Sequence, residues 1–159
     1  MAHLAVVPQT RPDLEALPGP QRPLGRLPSD WVVCDRTEIA GVAVDRVVVG
    51  PNGVFTVVVD PDPRPAAVTD DGLMRAGGRV TTPVKRALAA AFGLRGMLAP
   101  LLPHVFPYPL LAVNGHAGMG FVGRLRVVTA PELAEAVWSH CGRPLLRSER
   151  RAVLDVVAP

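Results

Sequence analysis

With 159 residues, 48% of them hydrophobic, the chain is long enough to bury one core and too short to require two. Its 17 Lys and Arg against 14 Asp and Glu leave a net charge of +3, which permits contact with phosphates without demanding it. Only 4% of residues are aromatic, and that argues against a dedicated single-strand-binding groove, in which stacking rings alternate with cations.

Pro8, Pro12, Pro18, Pro20, Pro23 and Pro28 interrupt the first stretch and leave room for no more than a helical turn over 13–17. Residues 1–28 therefore read as an irregular arm, and 29–159 as a single α/β domain. The start lacks a basic segment followed by an apolar run, and no stretch approaches the roughly 18 apolar residues of a membrane span. A cytoplasmic chain without membrane contact is expected. Cys34 and Cys141 belong to no Cys-x-x-Cys or Cys/His cluster, so each reads as a buried thiol.

The first strand is expected at 31–35, with a link over 36–41. Two valine-rich runs follow, 44–49 and 54–59, and the turn Gly50-Pro51-Asn52-Gly53 makes them a hairpin. Asp60-Pro-Asp-Pro-Arg-Pro65 ends the third strand, because proline cannot donate to a ladder. Residues 72–80 fit a short hairpin turning at Gly77-Gly78. Thr82 then caps a helix with Pro83 at its first position, and Val84, Ala87, Leu88, Ala91, Leu94 and Leu98 make it amphipathic. Gly93 and Gly96 leave its last turns open to close packing or to fraying.

After a proline-rich linker at 100–109, strands are expected at 110–114 and 124–129. The glycine-rich loop 114–120 between them holds His116 but lacks the Lys-Ser/Thr of a phosphate loop. A helix begins near Pro131 and runs to about 141, with Glu132 and Glu135 near the positive end of its dipole. Ser148 caps a last helix over 149–157, and Arg143, Arg147, Arg150 and Arg151 read as cations of a solvated helix end. His104, His116 and His140 fall in loops or at a helix end, and no local nucleophile signature is present.

Asp45 stands out, since a carboxylate inside an apolar strand needs a partner, solvent or a metal. The segment Val44-Asp45-Arg46, then Gly50-Pro51-Asn52-Gly53-Val54-Phe55, then Val58-Val59-Asp60 resembles the core of the nuclease-related domain (NERD) family of the PD-(D/E)XK nucleases. The resemblance implies a restriction-endonuclease-like mixed sheet flanked by helices. In that family an Asp and a Glu bind a divalent metal and a Lys orients or activates the attacking water. Here Asp45 stands at the first position, Val58 at the second and Asp60 at the third, so one of the three remains. The family's amino-terminal helical glutamate has only Glu15 as a counterpart, and its helical glutamine falls on Arg86 or Lys85, either of which would reach Asp45 as a cation in place of the metal.

These residues lead to an inactive nuclease-fold module associated with DNA or with a protein partner, without a cofactor. An active nuclease holding Mg²⁺ or Mn²⁺ on Asp45 with Asp60 or Asp62 is the first alternative. A structural interaction domain without nucleic-acid contact is the second. Lys85 and Arg86 are the expected ion-pair or phosphate contacts.

Overall fold

The computed structural model describes residues 3–6, 27–28, 30–116 and 120–158, and among these described residues it has ten strands and three α-helices. Strands β1 (His3–Val6), β2 (Val32–Ile39), β3 (Val42–Gly50) and β4 (Gly53–Val59) run antiparallel in succession. The chain then leaves this sheet for a three-stranded one, β5 (Ala66–Thr69), β6 (Gly72–Arg75) and β7 (Gly78–Arg79), and for helix α1 (Thr82–Leu98). It returns as β8 (Tyr108–Val113), parallel to β4, followed by β9 (Gly120–Val122) and by β10 (Leu125–Thr129), which lies parallel to β8. The result is a seven-stranded mixed sheet in the order β1-β2-β3-β4-β8-β10-β9. Helices α2 (Leu133–Trp138), preceded by a 3₁₀ turn at Ala130–Glu132, and α3 (Arg147–Val157) complete the chain. No helix among the described residues is long and apolar enough to cross a membrane.

Strand alternation sorts the valines between two faces. Val47, Val49 and Val54 pack with Ala90, Leu94 and Leu98 of α1 and with Val153 and Val157 of α3. Val48, Phe55 and Val57 point the other way, onto Trp31, α2 and its Val137. Beyond them Val58, Leu111, Val113, Leu125 and Val127 meet Ala87 of α1 together with Ala66 and Leu73 of the small sheet. Helices thus cover both faces of a centre too apolar to face water.

The Gly50–Gly53 turn is a docking point as well as a reversal. A Cβ on Gly50 would sit 2.1 Å from the Trp31 ring, so only glycine admits that contact. The Asn52 amide nitrogen lies 2.8 Å from the carbonyl of Val137 and 3.0 Å from that of His140, closing the carboxyl end of α2. Leu145 donates its N–H to the Pro51 carbonyl at 2.8 Å, tying the approach to α3 to the same turn. Four residues therefore join sheet, α2 and the last connector.

Several sequence expectations change in contact with the fold. His3–Val6, within the proline-rich arm, pairs with β2, while Glu15 lies outside the described residues. Strand β2 continues to Ile39 because Arg36, at φ 48°, takes a kink that lets Thr37, Glu38 and Ile39 rejoin β3. Ala40 and Gly41, both at positive φ, form the turn that follows. The 72–80 hairpin turns at Ala76-Gly77, with Gly78 already paired to Arg75. Thr81, not Thr82, is the N-cap of α1, its carbonyl accepting the Lys85 N–H at 2.9 Å. Gly93 serves close packing, a Cβ there falling 2.9 Å from that of Ala40, whereas Gly96 faces open space. Helix α2 ends at Trp138, three residues early, and α3 starts at Arg147, so Ser148 lies inside it; Glu149 folds back to accept the Leu146 N–H at 2.8 Å. Cys34 is buried, and burial aided by Asp35 pushes its thiol up to about 11, but Cys141 is exposed.

Candidate functional site

Strands β3 and β4 part company beyond the Arg46–Val57 pair, and β4 goes on beside β8 through Val58 and Val59. At that fork the Val59 N–H has lost its strand partner. The Asp45 carboxylate supplies one, its Oδ2 accepting the Val59 N–H at 2.6 Å. On the other side of β3, the ladder with β2 skips the Arg36–Asp45 pair, where Arg36 is kinked. Asp45 therefore occupies a break in the sheet on both flanks.

From α1, the Arg86 Nη2 reaches both the Asp45 Oδ2 at 3.4 Å and the Val59 carbonyl at 3.2 Å. Of the two cations that the sequence offered, Arg86 makes the contact. Lys85 is exposed and forms no ion pair among the described residues. With Asp45 and Arg86 side chains 44% and 37% exposed, the pair is partly solvated and contributes at most about 1 kcal/mol. Val58, where the resembled family carries its acid, is fully buried between Ala87, Leu111 and Leu73, an environment with no room for a charge.

The segment after β4 solves a different problem. Pro61, Pro63 and Pro65 have no N–H, and the donors between them are taken by the aspartates two residues before. Asp60 Oδ1 accepts the Asp62 N–H at 3.1 Å, and Asp62 Oδ1 accepts the Arg64 N–H at 3.0 Å. The same Asp62 carboxylate is gripped by the Arg64 guanidinium, with Nη2 to Oδ2 at 2.6 Å. Those bonds hold the Asp62 carboxyl well below the usual carboxylate range.

Asp60 is held by a residue that the sequence did not single out. Arg75 Nη2 lies 2.7 Å from Asp60 Oδ2, with the two side chains only 7% and 6% exposed. Its Nη1 lies 3.4 Å from Asp62 Oδ2, and its Nε donates to the Arg64 carbonyl at 3.0 Å. Arg75 is thus the buried keystone of the 60–64 segment. It arrives on β6 of the second sheet, 15 residues away in sequence, and no local pattern announces that encounter.

Around these groups is a cavity of about 550 Å³ at the carboxyl ends of the parallel strands β4, β8 and β10. Asp60, Asp62, Asn114, Thr129 and Glu132 line it, the edge at which open α/β sheets most often hold ligands. Glu132 accepts the Thr129 N–H at 3.3 Å, and Asn114 donates its side-chain amide to the Pro63 carbonyl. Asp45 and Asp60 answer to different arginines, and among the described residues no group of three or more His, Cys, Asp or Glu is arranged to hold a metal ion.

The opposite edge has another character. At the amino ends of β8 and β10, a cavity of about 580 Å³ is lined by Phe92, Arg95, Phe106, Tyr108, Phe121, Arg124 and His140 among others. The His140 ring packs against Tyr108 and edge-on to Phe55, with its Nε2 buried and lacking a hydrogen-bond partner among the described residues. Burial, aided by Arg126, lowers its pKa below the ordinary histidine range.

No protein-family model, no curated protein and no solved structure matches the chain. What fold and site define together is a mixed α/β domain with arginine–carboxylate pairs at the carboxyl edge of its parallel strands.

Proposed function

We propose that this chain is a nuclease-fold domain of the NERD type, with a restriction-endonuclease-like sheet, in which arginine has taken the place of catalytic metal, and that it associates with DNA without cutting it. The observation that carries the reading is the pairing of Asp45 with Arg86 and of Asp60 with Arg75. A divalent ion needs carboxylates free to coordinate, and here it would have to displace a guanidinium at each. At Asp60 that displacement would strand a buried arginine, which is strongly unfavourable.

Further support comes from the antiparallel succession of β2, β3 and β4 within a mixed sheet flanked by helices, the architecture that the resemblance implies. Arg64 and Arg79 line a hollow beside the first residues of α1, whose first turn carries no acid, a setting suited to phosphate.

The test is to incubate the chain with labelled duplex DNA in Mg²⁺ and in Mn²⁺, and to titrate the same duplex over a range of salt. We expect intact DNA, and an affinity that falls linearly in log–log form as salt rises. Cleavage that disappears in Asp45→Ala would replace this reading with an active nuclease using Asp45 and Asp60 or Asp62. Absence of any salt-dependent binding would leave a structural interaction domain.

A further inference from the structure

The chain has four phenylalanines, and only Phe55 is buried in the core. Phe92, Phe106 and Phe121 are 59%, 45% and 65% exposed, and they come from α1, the connector before β8, and β9. All three line the same cavity. A single exposed ring needs no explanation, but three brought from separate elements to one place form a surface that water alone does not favour.

The cavity carries two cations and no acid. Arg95 lays its guanidinium over the Phe106 ring, 3.6 Å from the centroid, and Arg124 stands on the turn between β9 and β10. Neither makes an ion pair among the described residues, in contrast to Arg64, Arg75 and Arg86. A guanidinium flat against a ring keeps its N–H edge available in the ring's plane, where a phosphate oxygen is accepted bidentately. The ligand that suits this surface therefore has a flat π-face and an adjacent negative charge, and fits a volume typical of small-ligand sites.

We infer that this aromatic edge binds unpaired nucleotides of single-stranded DNA, with bases stacked on Phe92 and Phe121 and phosphates met by Arg95, seated on the Phe106 ring, and by Arg124. The inference rests on the DNA-associated reading and assigns it a strand form and a location. The low aromatic content of the whole chain argued against such a groove, but three of its few rings are concentrated at one edge. Stacking on aromatic side chains is sequence-tolerant, so a preference for strand form rather than for base sequence is expected.

The experiment compares binding of a fluorescent single-stranded oligonucleotide and its duplex to the full chain, to Phe121→Leu and Phe121→Tyr, and to Arg95→Ala/Arg124→Ala. The single strand should bind more tightly than the duplex. Phe121→Leu, which keeps apolar area and removes the π-face, should weaken single-strand binding by about 5-fold or more, and Phe121→Tyr should retain it. The arginine pair should lower the magnitude of the log–log salt slope by roughly 1 to 2. Phe121 and Arg124 are exposed and Arg95 is half-buried, and circular dichroism melts verify that each variant folds.

Duplex binding at least as tight as single-strand binding and unchanged in Phe121→Leu would overturn the inference while leaving the DNA-associated reading intact. Absence of salt-dependent binding to either form would remove both. An acidic phenylalanine-containing peptide that binds this edge where the oligonucleotide does not would also overturn the inference, making the edge a protein-docking surface.

Discussion

The two ends of the parallel strands treat charge in opposite ways. At the carboxyl edge, Asp60 and Asp62 meet Arg75 and Arg64, and the nearby fork holds Asp45 against Arg86. At the amino edge, Arg95 and Arg124 have no acid partners among the described residues, and three phenylalanine rings stand partly in water. The carboxyl edge has paired Asp45, Asp60 and Asp62 with arginines from within, which leaves these carboxylates little to offer a ligand. The amino edge has unmet capacity. The place where α/β sheets customarily bind ligands is, in this chain, the more self-contained of the two.

Replacing the keystone of the carboxyl edge should have the largest effect. Arg75→Met leaves Asp60 buried without its cation and should cost about 3–5 kcal/mol in chemical denaturation. The double variant Arg75→Met/Asp60→Leu should recover much of that loss, since removing both charges removes the penalty. Equal instability of single and double variants would mean that packing, not charge, makes this edge rigid.

Helix α1 spans both edges, and its glycines separate packing from propensity. Gly93→Ala pushes a methyl onto Ala40 and should destabilise by about 1–3 kcal/mol. Gly96→Ala meets open space and should stabilise by about 0.5–1 kcal/mol through helix propensity. Thermal melts of the two variants should therefore shift in opposite directions.

Acid should loosen the edges in sequence. His140 has a lowered pKa in the folded chain, so its contribution is complete above its ordinary value of 6.5 and is lost as pH falls below it. Asp62 is also lowered, but from an ordinary value of 3.8, so the carboxyl edge keeps its contribution until the solution is much more acidic. Stability measured from pH 7.5 to 5, on a scale set about the histidine range, should drop for the wild type and flatten in His140→Gln. An unchanged slope in that variant would exclude His140 as the cause. The smallest effect belongs to Phe121→Ser, which should change stability by no more than about 0.5 kcal/mol, because its ring is largely exposed.

Local chemistry made much of this fold legible. Runs of valine around Gly50-Pro51-Asn52-Gly53 identify β3 and β4, since β-branched residues and a turn of that composition need no distant help. The amphipathic spacing from Val84 to Leu98 likewise announces α1, with the start misplaced by one residue because Thr81 and Thr82 are equivalent caps on paper. Strand β1 was hidden in the arm because it exists through pairing with β2 about 30 residues along the chain, whereas β5, which pairs locally with β6, was masked by the three prolines just before it.

For the candidate site, the sequence by itself determined that Asp45 lies within an apolar strand, that Val58 is apolar within the second valine run, and that cations occupy the start of α1. These are properties of residue type and position. Only the tertiary structure decided that Arg86 rather than Lys85 meets Asp45, that Arg75 crosses from a second sheet to neutralise Asp60, and that three scattered phenylalanines share one cavity. Those facts depend on where separate elements come to lie, and a side chain's charge partner or stacking neighbour is set by that distance in space, which spacing along a chain does not encode.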